Sequence, residues 1–185
     1  EIFRQKIEIS LTDDINDIYF KCHLALSQMF TKFLKNTKNI NFTKYKGPYK
    51  FLPKMTPAEG FVDWTRSKID VYNFIRSKTF PYRSAFTYLN KKLLEIKSVQ
   101  LINTNFYHKY RCGEIVLILN DKRLLVSVKK GFLTLEMYEK NITNIKEGQI
   151  LKSVNFRKQM KTIIDRHYKT NPKQKLNNMI MRLTK

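Results

Sequence analysis

Acidic side chains are scarce in this chain: 15 Asp and Glu stand against 36 Lys and Arg, which leaves a formal charge of +21 and an isoelectric point near 10.0. Such an excess repels itself in the compact state and calls for a polyanionic partner, nucleic acid before an acidic membrane surface, although a Lys-rich background composition would also raise it. Cysteine is scarcer still. Cys22 and Cys112 have no Cys or His neighbour at metal-ligand spacing, which argues against a zinc site and predicts buried or unpaired thiols in a reducing compartment. No apolar run approaches the roughly 20 residues that a membrane-crossing helix needs, so no membrane partner is expected. A Gly-rich phosphate loop, a Gly-x-Ser-x-Gly elbow and a His-Glu-x-x-His helix are all missing, and with them the spacing of the common phosphate, acyl and zinc chemistries. His23, His108 and His167 are scattered, with no carboxylate or Cys at ligand spacing, and read as surface or packing residues rather than general bases. The chain opens Glu1-Ile2-Phe3 rather than with Met and reads as entered in mid-sequence, so the lack of a signal peptide excludes nothing about its parent.

What is present is foldable. Hydrophobic residues at 42% and aromatics at 13% suit a packed core, and 185 residues suit one domain or one domain with a smaller fragment attached. Residues 2–9 alternate in the manner of a strand. Thr12, followed by Asp13 and Asp14, predicts a helix start, with Ile15, Ile18, Tyr19, Cys22, Leu26, Met29, Phe30 and Phe33 on one face. From Lys35 to Pro57 the periodicity gives way to Asn, Lys, Gly47, Pro48, Pro53 and Pro57, a linker composition. A helix from about Ser67 to Ser77 follows, with Arg66, Lys68 and Arg76 left to solvent.

After Pro81 the period becomes strand-like. Strands are predicted at Ala85–Leu89, Leu93–Val99, Ile115–Leu119, Leu124–Val128 and Phe132–Tyr138, with turns at Asn90-Lys91, Cys112-Gly113, Asn120-Asp121 and Lys129-Lys130-Gly131. Short strands joined by tight turns behind one helix favour a small, closed or partly open β-barrel such as an OB-fold, with a sandwich as the alternative. The segment from Leu151 carries ten Lys or Arg and one acid, Asp165; its helical pattern ends at Asn171-Pro172.

Trp64, the single Trp, reads first as a core anchor and second as a base-stacking platform. Asp63 reads first as an acid at a helix entry. Lys91, Lys92, Arg111, Lys129 and Lys130 at turn tips, and Arg157, Lys158 and Lys161 in the basic tail, are the candidates for holding a phosphate backbone.

Two groups of residues carry a resemblance. One is Lys54-Met55-Thr56-Pro57-Ala58-Glu59-Gly60-Phe61-Val62-Asp63-Trp64, then Tyr72-Asn73-Phe74-Ile75-Arg76 and Phe80-Pro81-Tyr82-Arg83-Ser84-Ala85-Phe86-Thr87-Tyr88; the other is Gly113-Glu114-Ile115, Leu124-Leu125-Val126 and Gly131-Phe132-Leu133-Thr134-Leu135. In order and spacing, over roughly residues 54–151, these resemble the C-terminal domain of formyltransferases, of the methionyl-tRNA formyltransferase kind. Arg83-Ser84 depart from the family's Pro-Gly, which loses a rigid turn and adds Arg83 to the candidate RNA contacts.

The resemblance implies an α+β chain in four parts: residues 1–35 as the closing strand and helix of a Rossmann-like catalytic domain, 36–57 as linker, 58–155 as an OB-like β-domain, and 156–185 as a basic tail. It implies no catalytic residue here, because the family's Asn, His and Asp would precede residue 1. It also implies initiator methionyl-tRNA as partner, 10-formyltetrahydrofolate as co-substrate of the full enzyme with no cofactor bound by this part, and a monomer. The +21 charge, the run Lys92–Ile96 and the basic extension ending Met181-Arg182-Leu183-Thr184-Lys185 favour the tRNA enzyme, and that ending is similar to tails of animal mitochondrial enzymes, which implies the mitochondrial matrix, with a bacterial cytoplasm as the alternative. The Ala85-Phe86-Thr87-Tyr88 run is also similar to sugar-nucleotide N-formyltransferases. A non-catalytic RNA- or ribosome-binding protein retaining the module is the remaining reading.

Overall fold

A computed structural model describes residues 3–37, 44, 51–103, 109–138 and 144–184. Two compact units divide the chain, residues 1–49 and 50–185.

In the first unit, α1 (Ile15–Lys35) starts two residues later than the hydroxyl rule places it. Asp14, not Thr12, is the cap: its carboxylate accepts from the Asn16 and Asp17 amides at 2.7 and 3.0 Å, and the Asp17 carboxylate accepts from the Asp14 amide at 2.9 Å. A carboxylate with a returning carboxylate three residues on satisfies more of the orphan N–H groups than one hydroxyl can. Thr12 hydrogen-bonds Ser10 instead, and Asp13 turns back to Ser10 and Lys21. The apolar stripe is half-buried at Ile15, Ile18, Tyr19, Met29 and Phe33 and exposed at Cys22, Leu26 and Phe30. The strand predicted over residues 2–9 is corrected: described residues 3–10 lie in no strand. Alternation makes a strand only where a neighbour accepts its backbone bonds, and none pairs with it among the described residues.

The second unit is built on one antiparallel sheet of order β1-β2-β5-β4-β3: β1 (Phe86–Leu89), β2 (Lys92–Leu101), β3 (Ile115–Ile118), β4 (Leu124–Val128) and β5 (Gly131–Met137). Register breaks between Ile96 and Ser98 in β2 and between Ile115 and Leu117 in β3 bend the strands, and the sheet curls into a half-barrel. Its two edges are bridged by an irregular strap, residues 148–154. Gly148 and Leu151 donate to the carbonyls of Ile115 and Gly113 at 2.8 Å, while Lys152 donates to Tyr88 of β1 at 2.8 Å. The strap thereby occupies edge groups that would otherwise stand open.

The concave side is filled by Ile75, Leu94, Ile96, Ile115, Leu124, Val126, Leu133 and Leu135, with α2 (Lys68–Arg76) packed on β2 and β5. Trp64 is fully buried in the same cluster and donates its Nε1–H to Thr87 at 3.3 Å, so it is the core anchor. The segment expected as a tail is folded. It forms α3 (Phe156–Thr170), which buries Met160, Ile163, Ile164 and His167, and the short α4 (Asn178–Arg182). Arg166 on α3 reaches Glu59 at 2.7 Å and the Lys54 carbonyl at 2.7 Å.

Candidate nucleic-acid interface

Four segments distant in sequence meet around a groove of about 1000 Å³ in the second unit. One wall is the turn 63–67 and the start of α2, where Ser67 caps the helix by accepting from the Asp70 amide at 3.2 Å. The second is the β4–β5 turn, Lys129-Lys130, with Lys130 at φ 64° in the left-handed region. Lys129 bridges Ser67, which sets that turn beside the start of α2. The third is 153–157, the start of α3, capped by Asn155 accepting from the Lys158 amide at 3.0 Å. Arg182 and Leu183 at the end of α4 complete the lining.

Six cations line this groove, Arg66, Lys68, Lys129, Lys130, Arg157 and Arg182, against two carboxylates, Asp63 and Asp70. The starts of two helices, with the positive ends of their dipoles, open on the same space. Both acids are engaged within the wall. Asp63 accepts from Thr65, Ser153 and the Phe156 amide at 2.6 to 3.0 Å, and Asp70 accepts from Ser67 at 2.8 Å and pairs with Arg66 at 3.3 Å. Chemically the groove can hold an anion. It offers no nucleophile and base pair, and no group of three or more metal-ligating side chains occurs among the described residues.

Of the sequence candidates, Lys129, Lys130 and Arg157 share the groove. Arg111 stands near it: its carbonyl accepts from Ser127, two residues before Lys129, and its side chain pairs with Glu114 at 3.8 Å. Lys158 and Lys161 are exposed on α3 beyond the groove, Lys158 lining a smaller hollow with Glu59. Lys91 and Lys92 lie at the other end of β2, about 30 Å along the ten-residue strand from the end nearest the Lys129 turn. Arg83 is exposed ahead of β1 and outside the groove. Arg66 and Lys68, which the sequence leaves to solvent, and Arg182 also join the groove; the one usable signal is the Ser67 cap, which puts Arg66 and Lys68 at a helix start. Of the histidines, His23 is exposed, His167 is buried with Nε2 3.1 Å from the Gln174 carbonyl, and His108 lies outside the described residues.

Asp63 ties the groove together. Burial acts to raise its pKa, but hydrogen bonds from Thr65, Phe156 and Ser153 outweigh it and hold the carboxyl below its ordinary value. A depressed folded-state pKa means stability that is complete above the unfolded carboxylate range, about pH 4, and lost as the pH falls through the folded value. Asp63→Asn is therefore expected to cost about 1–3 kcal/mol at pH 7 and to flatten the decline of the urea midpoint between neutral and acid pH. A variant with an unchanged acid limb contradicts this role. Cys112, near Lys129 and Asp63, is pushed up chiefly by burial, which disfavours its thiolate.

Comparison with known proteins matches this architecture. The family model described as Formyl transferase, C-terminal domain, matches residues 54–155, the strap and sheet included and more than half of the chain. Methionyl-tRNA formyltransferase of Fusobacterium nucleatum is 34% identical over 135 residues, covering 71% of this chain and 43% of that protein. The enzyme of the same name from Caldicellulosiruptor saccharolyticus is 28% identical over 137 residues, 73% of this chain and 43% of the relative. The Bifunctional polymyxin resistance protein ArnA of Wigglesworthia glossinidia brevipalpis is 29% identical over 164 residues, 85% of this chain and 24% of its own length. The chain thus spans less than half the length of the curated relatives it matches. With its half-barrel, α2 and strap all inside the matched stretch, the chain belongs to the family of the formyl transferase C-terminal domain.

Proposed function

We propose that this chain is the RNA-holding C-terminal part of an enzyme that formylates the α-amine of initiator methionyl-tRNA. The groove grips the phosphate backbone through Lys129, Lys130 and Arg157, joined by Arg66, Lys68 and Arg182; Arg83, Lys91, Lys92, Arg111, Lys158 and Lys161 extend the contact over the outer surface. The reaction belongs to a Rossmann-like domain of which residues 1–35 are the closing part, with 10-formyltetrahydrofolate as the formyl donor bound there. In this reading the half-barrel with its strap is an OB-like fold, and the mitochondrial matrix is the compartment.

The carrying observation is the convergence of six cations on one groove with only two acids, both satisfied within its wall. A phosphate backbone repays the self-repulsion of such a cluster by releasing its condensed counterions. A nucleotide-sugar substrate offers too few charges to do so.

The test is binding of the intact chain to initiator methionyl-tRNA across a salt series. Lys129→Ala combined with Lys130→Ala is expected to weaken binding and to lower the log–log salt slope by about one per phosphate contact removed. An unchanged slope overturns the assignment of that turn, and displacement of the tRNA by an equal concentration of a nucleotide-sugar favours the sugar-nucleotide reading.

A further inference from the structure

The groove is not cationic throughout. Phe156, Ile69, Val154 and Leu183 line it along with the cations, so that a chain of phosphates alone would leave apolar surface uncovered. The Arg66 guanidinium lies over the Phe156 ring at 4.0 Å, and its NH2 nitrogen is 3.3 Å from the Asp70 carboxylate. Asp70 is itself held by the Ser67 hydroxyl at 2.8 Å. Phe156 is held in turn through its backbone amide, which donates to Asp63 at 3.0 Å. A planar cation is thereby fixed from one face by a ring and from its edge by a carboxylate, while 27% of its side chain remains exposed and it lines the groove.

A fixed guanidinium plane is a stacking surface for a nucleobase, and it works for any base because every base presents a π-face. Duplex RNA keeps its bases stacked on one another and cannot use such a surface. Lys129 and Lys130, in the turn beside the start of α2, supply the phosphate partners that a strand running past the platform would need. The volume, about 1000 Å³, lies at the upper end of the range for small-ligand sites, about 300–1,000 Å³, which is room for one or two nucleotides.

We propose that the groove seats an unpaired nucleotide of a single-stranded RNA segment, with its base stacked on the Arg66–Phe156 platform and its flanking phosphates at Lys129 and Lys130. This deepens the proposed function and rests on it for the class of partner. The platform selects single-stranded over duplex RNA, whereas the lysine turn contributes to both.

Arg66→Lys separates the two contributions because it keeps the charge and removes the plane. Binding of the intact chain to a five-nucleotide single-stranded RNA and to a short RNA duplex is measured by fluorescence anisotropy over a salt series. Arg66→Lys is expected to weaken the single strand roughly tenfold, within what stacking of one base supplies, and the duplex by about twofold or less, with both salt slopes unchanged because the charge is kept. Phe156→Leu, checked for folding by circular dichroism, is expected to reproduce the single-strand loss by removing the ring under the guanidinium. Equal losses on strand and duplex, or no loss on either, overturn the platform. Displacement of the strand by free AMP at the strand's own concentration overturns the strand reading in favour of a mononucleotide site. Failure of the RNA-holding function is a separate result: it appears as an unchanged slope in the Lys129 and Lys130 variant while Arg66 is intact.

Discussion

Replacing Trp64 by alanine is expected to cost about 3–5 kcal/mol, the range for truncating a large buried aromatic, out of a domain stability of about 5–15 kcal/mol. The indole is fully buried, donates to Thr87, and lies against Gly113. Thr87 in turn donates to the Lys152 carbonyl at 2.8 Å, and the Trp64 amide donates to Ser153 at 2.8 Å, so both the ring and its backbone hold the strap. Truncation leaves a cavity at the point where β1, the strap and the Gly113 turn meet. Because Trp64 is the single Trp, the variant has no indole fluorescence, and urea unfolding followed by far-ultraviolet circular dichroism is the appropriate measurement. Trp64→Phe keeps most of the volume and loses the Thr87 bond, and should cost about 1–2 kcal/mol. A Trp64→Ala loss below about 1.5 kcal/mol would contradict the anchor, since core truncations of this size do not fall so low. If the indole instead served as a base-stacking surface, RNA affinity would drop with stability intact.

The second large effect is expected at Gly113. Its φ of 86° lies in the left-handed region, and a Cβ there would stand 2.8 Å from the Leu151 carbonyl oxygen and 3.1 Å from Cδ1 of Trp64. Neither neighbour can yield cheaply, because one is backbone of the strap and the other is the anchoring ring. Gly113→Ala is therefore expected to cost about 2–4 kcal/mol, combining the left-handed penalty with displacement of the strap. Gly148 supplies the control: its φ is 78° but nothing lies within 4 Å of an added Cβ. Gly148→Ala should lose only about 1–2 kcal/mol, the conformational part. Equal midpoints for the two variants in thermal unfolding would remove the clash from the account. The double variant Trp64→Ala with Gly113→Ala should lose less than the two single losses together, because the first substitution vacates the space that the second invades.

The strands were legible because their signals are local. Alternation in residues 92–101 and 131–137, with Asn90, Lys130 and Gly131 at positive φ in the turns, marks where the chain doubles back. The α2 helix was legible for the same reason, with Ser67 and Ser77 standing at its two caps. Three features were not. A strand over residues 2–9 needs a neighbour that composition cannot supply. Asp14 displaced Thr12 as cap because of the returning Asp17, a relation between two side chains rather than a preference of one. The strap satisfies the open edges without any strand-like pattern of its own, so a closed barrel and a spanned half-barrel read alike in sequence.

The candidate interface divides along the same line. Lys129, Lys130 and Arg157 stood out as cations at a turn tip or in a basic run, and all three line the groove. Arg66, Lys68 and Arg182 looked like ordinary solvated charges, because what gathers them is the approach of residues 63–70, 129–130, 153–157 and 182–183 in three dimensions. Lys91 and Lys92 carry an equally plain turn signal, yet strand length puts them at the far end of β2.

The Arg166 contacts with Glu59 and the Lys54 carbonyl bind residues more than a hundred positions apart, and Asp63 reaches 93 positions to Phe156. During synthesis, the 3-10 turn Pro57–Gly60 and the indole must therefore wait while the whole sheet emerges before their final partners arrive. Closing so long a loop is slow, and the earlier-made of the two segments spends that interval with a carboxylate and an aromatic unsheltered. A ribosome-bound chain halted before residue 166 should accordingly remain protease-sensitive near residue 59, and become resistant only once α3 has left the exit tunnel.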